Sequence, residues 1–242
     1  MQPGLILAAL VGLALGALVN WLASTLPARR HTAETAAAAD ARRPLARVIA
    51  VEIVLAVLAA YLWSRSGTTV LTAALLVYMT VFTLIAVIDI EHRLVLNVVM
   101  VPAFAVALVE VLFSRRIPVL SALAGYAVAQ IIVMGFYLLG GLYLKAVNAR
   151  RETPVTEVAF GFGDVTLATF CGLVVGFPGV TLMLVLMVLL GALFALLYIV
   201  SHGLFARGYR AHTPLPYRPS IILAAVIMLL WGADVIRLAL GG

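Results

Sequence analysis

The sequence predicts an all-α fold, a polytopic membrane bundle of about eight transmembrane helices, and three observations carry that expectation. Hydrophobic residues make up 65% of the 242 positions and charged residues 11%, with a mean hydropathy of +1.18. That is more apolar surface than a soluble domain can cover. The apolar residues fall in runs near the 20 or so that a helix needs to cross a bilayer. Within the runs there is no period-2 alternation, so helices that satisfy their own backbone are expected rather than a barrel.

The runs are broken by Arg, Gly, Pro and Asn clusters. They lie near 4 to 26, 47 to 64, 69 to 90, 97 to 113, 119 to 146, 164 to 178, 180 to 201 and 220 to 239. The first has no basic residue before it and no convincing small-residue cleavage site, so it is expected to be a retained helix and not a removed signal peptide. The fourth and sixth are short for a full crossing. The alanine-rich stretch from His31 to Asp40 is expected to be an amphipathic helix or a linker. No internal repeat and no soluble segment stand out, so residues 1–242 are expected to form a single integral membrane domain.

Eight crossings put both termini on one side, and the basic residues choose the side. One set of alternate connections holds twelve Lys and Arg, including Arg29, Arg30, Arg42, Arg43, Arg47, Arg93, Lys145, Arg150, Arg151, Arg207, Arg210 and Arg218. The other holds four: Arg65, Arg115, Arg116 and Arg237. Both termini are therefore expected outside the cytoplasm. The net charge of +6 follows from these short loops, and without a basic block it does not point to nucleic acid. The single cysteine, Cys171, excludes an intrachain disulfide and a cysteine-cluster zinc site. The four histidines (His31, His92, His202 and His212) lack metal-ligand spacing.

Unpaired ionisable groups at membrane depth cost a few kcal/mol each, so each one requires an explanation. Asp89 ends the third run in Ile88-Asp89-Ile90-Glu91-His92-Arg93, and Asp164 opens the sixth after Gly161-Phe162-Gly163. By the topology above, both fall at the cytoplasmic ends of their helices. Each has a bland reading: Asp89 as a solvated helix end, Asp164 as an N-cap. The combination of two carboxylates at one depth, one preceded by Gly161 and Gly163, which permit backbone conformations and close approach that a side chain would block, favours chemistry. Among lesser candidates, His92 reads as solvated and Asn20 as an interhelical hydrogen bond. Glu110 and Asp234 are expected to pair with Arg115 or Arg237 near the outer ends.

The stretch Gly161-Phe162-Gly163-Asp164-Val165-Thr166-Leu167 resembles the Gly-x-Gly-Asp-x-Lys-Leu motif of the type IV prepilin peptidases, which bears their second catalytic aspartate. The segment Ile88 to Asn97 is similar to the one bearing the first. Gly16, Asn20 and Pro27 resemble the family's first-helix pattern, Arg47 and Glu52 its second-helix Arg and Glu. Thr213-Pro214-Leu215-Pro216-Tyr217-Arg218-Pro219 resembles its C-terminal Thr-Pro-x-Pro-Phe-Gly-Pro loop, with Trp231 and Gly232 following. Leu96 stands where the family has proline, Thr166 where it has lysine, and Arg218 where it has glycine. The insertion with paired Cys-x-x-Cys motifs found in many members is absent.

The resemblance implies an intramembrane aspartyl endopeptidase of the inner membrane, with Asp89 and Asp164 as its pair. Gly161, Gly163, Leu167, Asn97, Pro214, Pro216 and Pro219 would position the motif and the substrate. The implied substrate is a prepilin or pseudopilin whose basic leader is cut off after a glycine at the cytoplasmic face, and membrane lipid is the surrounding partner. Proteolysis by two carboxylates needs no cofactor. The resemblance further implies methylation of the new N-terminus from S-adenosylmethionine, with Glu52 and Arg47 serving that step or leader binding. Two other classes compete: a proton-coupled transporter using the same carboxylates, and a noncatalytic pilus-assembly homologue that binds prepilin uncut.

Overall fold

The computed structural model describes residues 3–28, 45–92, 95–114, 116–149, 161–205 and 218–240. Among them the chain is all helical, with eight helices. These are α1 (Pro3–Ala28), α2 (Leu45–Ser66), α3 (Val70–His92), α4 (Asn97–Phe113), α5 (Val119–Asn148), α6 (Phe162–Val175), α7 (Gly179–Phe205) and α8 (Arg218–Leu240). Six are long and apolar enough to cross a membrane. The exceptions are α4, of 17 residues, and α6, of 14, the two runs that were short in the sequence. The alanine-rich stretch from His31 to Asp40 lies outside the described residues.

Large side chains such as Leu7, Val57, Ile131 and Leu139 stay exposed along the helices. Lipid, not water, is the medium that accepts such surfaces. This is an integral membrane protein.

The helices form two compact units, residues 1–116 and 117–242. In the first unit α1, α2 and α3 pack on one another and α4 packs on α3. The central helix is α3, buried over 44% of its most apolar window where α1 and α2 are buried over 22%. Tyr78, Met79, Phe82 and Ile88 carry its core face. Its start is capped as sequence chemistry would have it, with Thr69 Oγ1 accepting the Thr72 N–H at 3.1 Å.

Glu110 of α4 shows how this unit tolerates a buried carboxylate. It accepts the Tyr78 hydroxyl at 2.9 Å, Arg116 Nε at 3.0 Å and the Ser114 hydroxyl. Its ionic partner among the described residues is thus Arg116, while Arg115, which the sequence suggested, lies outside them. The chain turns back after Phe113, which carries Arg116 under the end of α4. Pairing and full hydrogen bonding remove the desolvation cost that an isolated carboxylate would carry. Asp234, in contrast, pairs as anticipated with Arg237 at 3.4 Å on an exposed surface.

In the second unit α6 is the buried element, in contact with α5, α7 and α8. Almost every residue from Asp164 to Val174 is buried. Gly172 and Gly125 let α6 and α5 touch backbone to backbone, since a Cβ on Gly172 would come within 2.5 Å of the Gly125 carbonyl oxygen. Close crossings of this kind are how helices gain packing energy where lipid removes the hydrophobic drive. Thr169 adds a hydrogen bond across the same crossing, to Gln130 Oε1 at 2.7 Å.

The sixth run begins and ends earlier than expected, at Phe162 and Val175 rather than 164 and 178. Gly176 takes φ 76°, a conformation that ends the helix and suits only glycine. The eighth helix starts at Arg218, so Arg218 and Pro219 belong to its first turn and not to a preceding loop. It departs from helical geometry at Trp231, with φ −133°.

Candidate active site

Asp164 is the third residue of α6 and is buried. It is not the N-cap: Gly161 holds that position, and the Asp164 carboxylate reaches back to it, Oδ2 accepting the Gly161 N–H at 2.9 Å. The Asp164 N–H in turn donates to the Gly161 carbonyl at 3.0 Å. This is the geometry of a capping box with glycine in the capping place. An acidic group here also faces the positive end of the helix dipole.

The other oxygen, Oδ1, accepts Nε of Arg218 at 2.6 Å, a charge-assisted bond short for its kind. The side chains are 18% and 8% exposed, respectively, for Arg218 and Asp164. Arg218 thus brings the start of α8 onto the start of α6. The sequence marked Arg218 only as a departure from a glycine. A signal was available, because a carboxylate at the membrane edge calls for a cation and Arg218 lies on the same expected side.

The expectation that Gly161 serves an unusual backbone conformation is corrected. Its φ of −89° and ψ of 156° are open to any residue. An added Cβ would stand 3.6 Å from Asp164 Oδ2 and 3.8 Å from Arg218 Nη2, ordinary contact distances. The residue matters for what lies over it, the carboxylate and the guanidinium. Gly163 lies in the first turn of α6 and Leu167 is wholly buried one turn on. Thr166 turns its hydroxyl back to the Phe162 carbonyl at 3.1 Å, a local use of the position.

In the first unit, Asp89 lies in the last turn of α3 and is 4% exposed. The solvated-helix-end reading therefore fails for Asp89, although the neighbouring Ile90 is 74% exposed. Leu96 is buried just before α4, and Asn97 opens that helix with its side chain exposed.

Arg47 Nε stands 3.0 Å from Glu91 Oε1, tying the start of α2 to the end of α3. Its guanidinium nitrogens are nevertheless buried without a well-aligned hydrogen bond among the described residues. The contact is close but poorly directed, and we read it as an ion pair only. Its partner is Glu91 and not Glu52, whose Cα and Cγ lie against Gly16, closer than a Cβ on that glycine would allow. Asn20 donates Nδ2 to the Val48 carbonyl at 3.1 Å, the interhelical bond expected of it. Its Oδ1 is buried and unpartnered among the described residues.

His92 is half-buried, 4.0 Å from Glu91. Pro219 sits in the first turn of α8, while Arg93, Pro214 and Pro216 lie outside the described residues. Among those residues no group of three or more His, Cys, Asp or Glu could hold a metal ion.

Chemically, Asp164 is a carboxylate held by two N–H donors. Of the roughly four lone-pair sites such a group offers, donors among the described residues occupy two.

A sequence profile of the type IV leader peptidase family matches residues 76–196, a span that includes both Asp89 and Asp164. Curated relatives are named prepilin leader peptidase/N-methyltransferase. One, from Aeromonas salmonicida strain A449, is 28% identical over 170 residues, which is 69% of this chain and 52% of the relative. Another, from Xanthomonas campestris pv. campestris, is 26% identical over 149 residues, covering 62% and 46% respectively. The chain therefore spans about half the length of the curated relatives it matches. No solved structure matches it significantly.

Proposed function

This chain belongs to the type IV leader peptidase family, and from that premise we propose that it is an aspartyl endopeptidase removing the leader from type IV prepilins or pseudopilins. Residues 1–242 would act as one peptidase domain, with Asp89 and Asp164 as its two carboxylates. The observation that carries the reading is that both are buried near ends of their helices, which on the positive-inside rule would face the cytoplasm. Gly161, Gly163, Leu167, Asn97, Pro214, Pro216 and Pro219 are proposed to position the motif and the substrate.

In such a pair one carboxylate takes a proton from water while the other hydrogen-bonds the scissile carbonyl. Close like charges favour a single shared proton, which belongs to the pair. Water then adds to the carbonyl carbon, and the C–N bond breaks as the amine leaves with a proton. The apolar helix of the substrate would remain in lipid and its basic leader in the cytoplasm, so the cut falls at the inner face of the inner membrane.

The relatives' names also include methyl transfer, and we extend that to this chain with S-adenosylmethionine as donor. Two polar groups of the first unit fit such a group. Arg47, ion-paired with Glu91 but without an aligned hydrogen bond among the described residues, would take its carboxylate, and Asn20 Oδ1, unpartnered among the same residues, would take its ammonium. Glu52 would face the incoming amine or the leader. When bound, the donor supplies the methyl group.

Incubating the purified protein in detergent with prepilin from the same organism, with products read by mass, tests the reading. We expect two products, the leader and a pilin beginning one residue after a glycine. Prepilin bound but intact would support the noncatalytic homologue instead. Proton flux in liposomes without proteolysis would support the transporter.

A further inference from the structure

The pairing of Arg218 with Asp164 has no counterpart in the motifs that led to the proposed activity. Arg218 opens α8 directly before Pro219. Proline restricts the backbone of the residue it follows, so the guanidinium is launched from a constrained position. Nε reaches Asp164 Oδ1 at 2.6 Å. Nη2 would stand 3.8 Å from a Cβ on Gly161, so the guanidinium also lies over the residue whose N–H holds Oδ2 at 2.9 Å. The carboxylate is thereby fixed at both oxygens, from two different helices.

The chemistry of the two holders is one-sided. A backbone N–H and a guanidinium N–H are donors with no acceptor capacity. Asp164 can meet both only as an acceptor, and neither can receive a proton from it. That suits the member of a carboxylate pair that accepts a proton from water, and it suits poorly the member that donates one to a carbonyl.

We propose that Arg218 is a positioning residue for peptide cleavage, which together with the Gly161 N–H orients Asp164 as the acceptor, the water-activating member of the pair. The proposal rests on the peptidase reading above. It leaves to Asp89 the role of hydrogen-bonding the scissile carbonyl. In this proposal Arg218 acts through Asp164.

The test is steady-state cleavage of prepilin by the full-length protein carrying Arg218→Met, Arg218→Lys or Arg218→Gly, with thermal melting in detergent as the folding control. Misplacing a catalytic group by an ångström costs up to about 10²-fold in rate. We expect Arg218→Met to lower kcat by about tenfold or more with little change in KM, the pattern of an interaction made in the transition state. Arg218→Lys, which keeps a donor, should recover most of the loss. Added ethylguanidinium should restore turnover to Arg218→Gly, which a merely structural role would not produce. Should the Met variant fail to fold, the Lys variant and the rescued Gly variant decide the matter alone.

Wild-type kcat in folded Arg218→Met, or a rise in KM at unchanged kcat, would overturn the proposal while leaving the peptidase reading intact. No cleavage by the unaltered protein, under conditions where a known leader peptidase cuts the same prepilin, would overturn both.

Discussion

Asp89→Asn and Asp164→Asn are each expected to reduce prepilin cleavage by at least about 10³-fold, within the range that positioned acid–base groups contribute. The substitution changes little in volume, and both variants should reach the membrane in normal amounts. An amide can neither take a proton from water nor share one across a pair. Because the two groups are proposed to act as a unit, the double variant should be no slower than the slower single one.

A purely structural role for Asp164 forecasts otherwise. An asparagine at that position retains an acceptor for the Gly161 N–H, so the capping contact would survive. Asp234→Asn is the appropriate control, since Asp234 is 58% exposed in its pair with Arg237. Glu110→Gln is a poor one, because Glu110 sits in a buried network with Tyr78, Ser114 and Arg116. Turnover by either aspartate variant at near wild-type rate, with product confirmed by mass, would falsify the aspartyl mechanism.

The second large effect concerns orientation. On the positive-inside rule, twelve basic residues against four lead us to propose that the 27 to 47, 91 to 96, 147 to 160 and 202 to 219 connections lie inside the cell, with both termini outside. A cysteine introduced as Ala38→Cys, in a Cys171→Ala background, should resist an impermeant thiol reagent in intact cells and react fully once the membrane is opened. Strong labelling in intact cells would invert the topology and put both carboxylates on the wrong side for a cytoplasmic leader.

Much of the fold was legible because lipid imposes a simple rule: a crossing segment must be apolar, helical and about 20 residues long. Even the two short helices, α4 and α6, were visible as short runs. Helix ends were less so. The end of α6 is set by Gly176 at φ 76°, a conformation that hydropathy does not record, and the sequence reading carried the helix on to Pro178. Likewise Arg218 and Pro219 read as loop, since proline often marks one, but proline also fits the first turn of a helix.

At the site, the aspartates stood out by charge in apolar surroundings, whereas their partners did not. Arg218 lies 54 positions from Asp164, and nothing local links the two. The Arg47–Glu91 pair was hidden in the same way, by separation along the chain. The buried state of Asp89 was also unreadable, because Glu91, His92 and Arg93 surround it with the composition of a solvated end. What decides burial is which face of the last turn the side chain occupies, and Asp89 shares its face with Ile85 and Phe82.

The most direct test of the pair is its proximity in the membrane. In a Cys171→Ala background, Asp89→Cys with Asp164→Cys should be joined within one chain by a short thiol-to-thiol reagent, as detected by mass after proteolysis. Asp89→Cys with Asp234→Cys, whose second residue is expected toward the outer side, should not be joined. Efficient joining of positions 89 and 164 is the predicted result; joining no greater than that of the 89 and 234 control would contradict a shared catalytic centre.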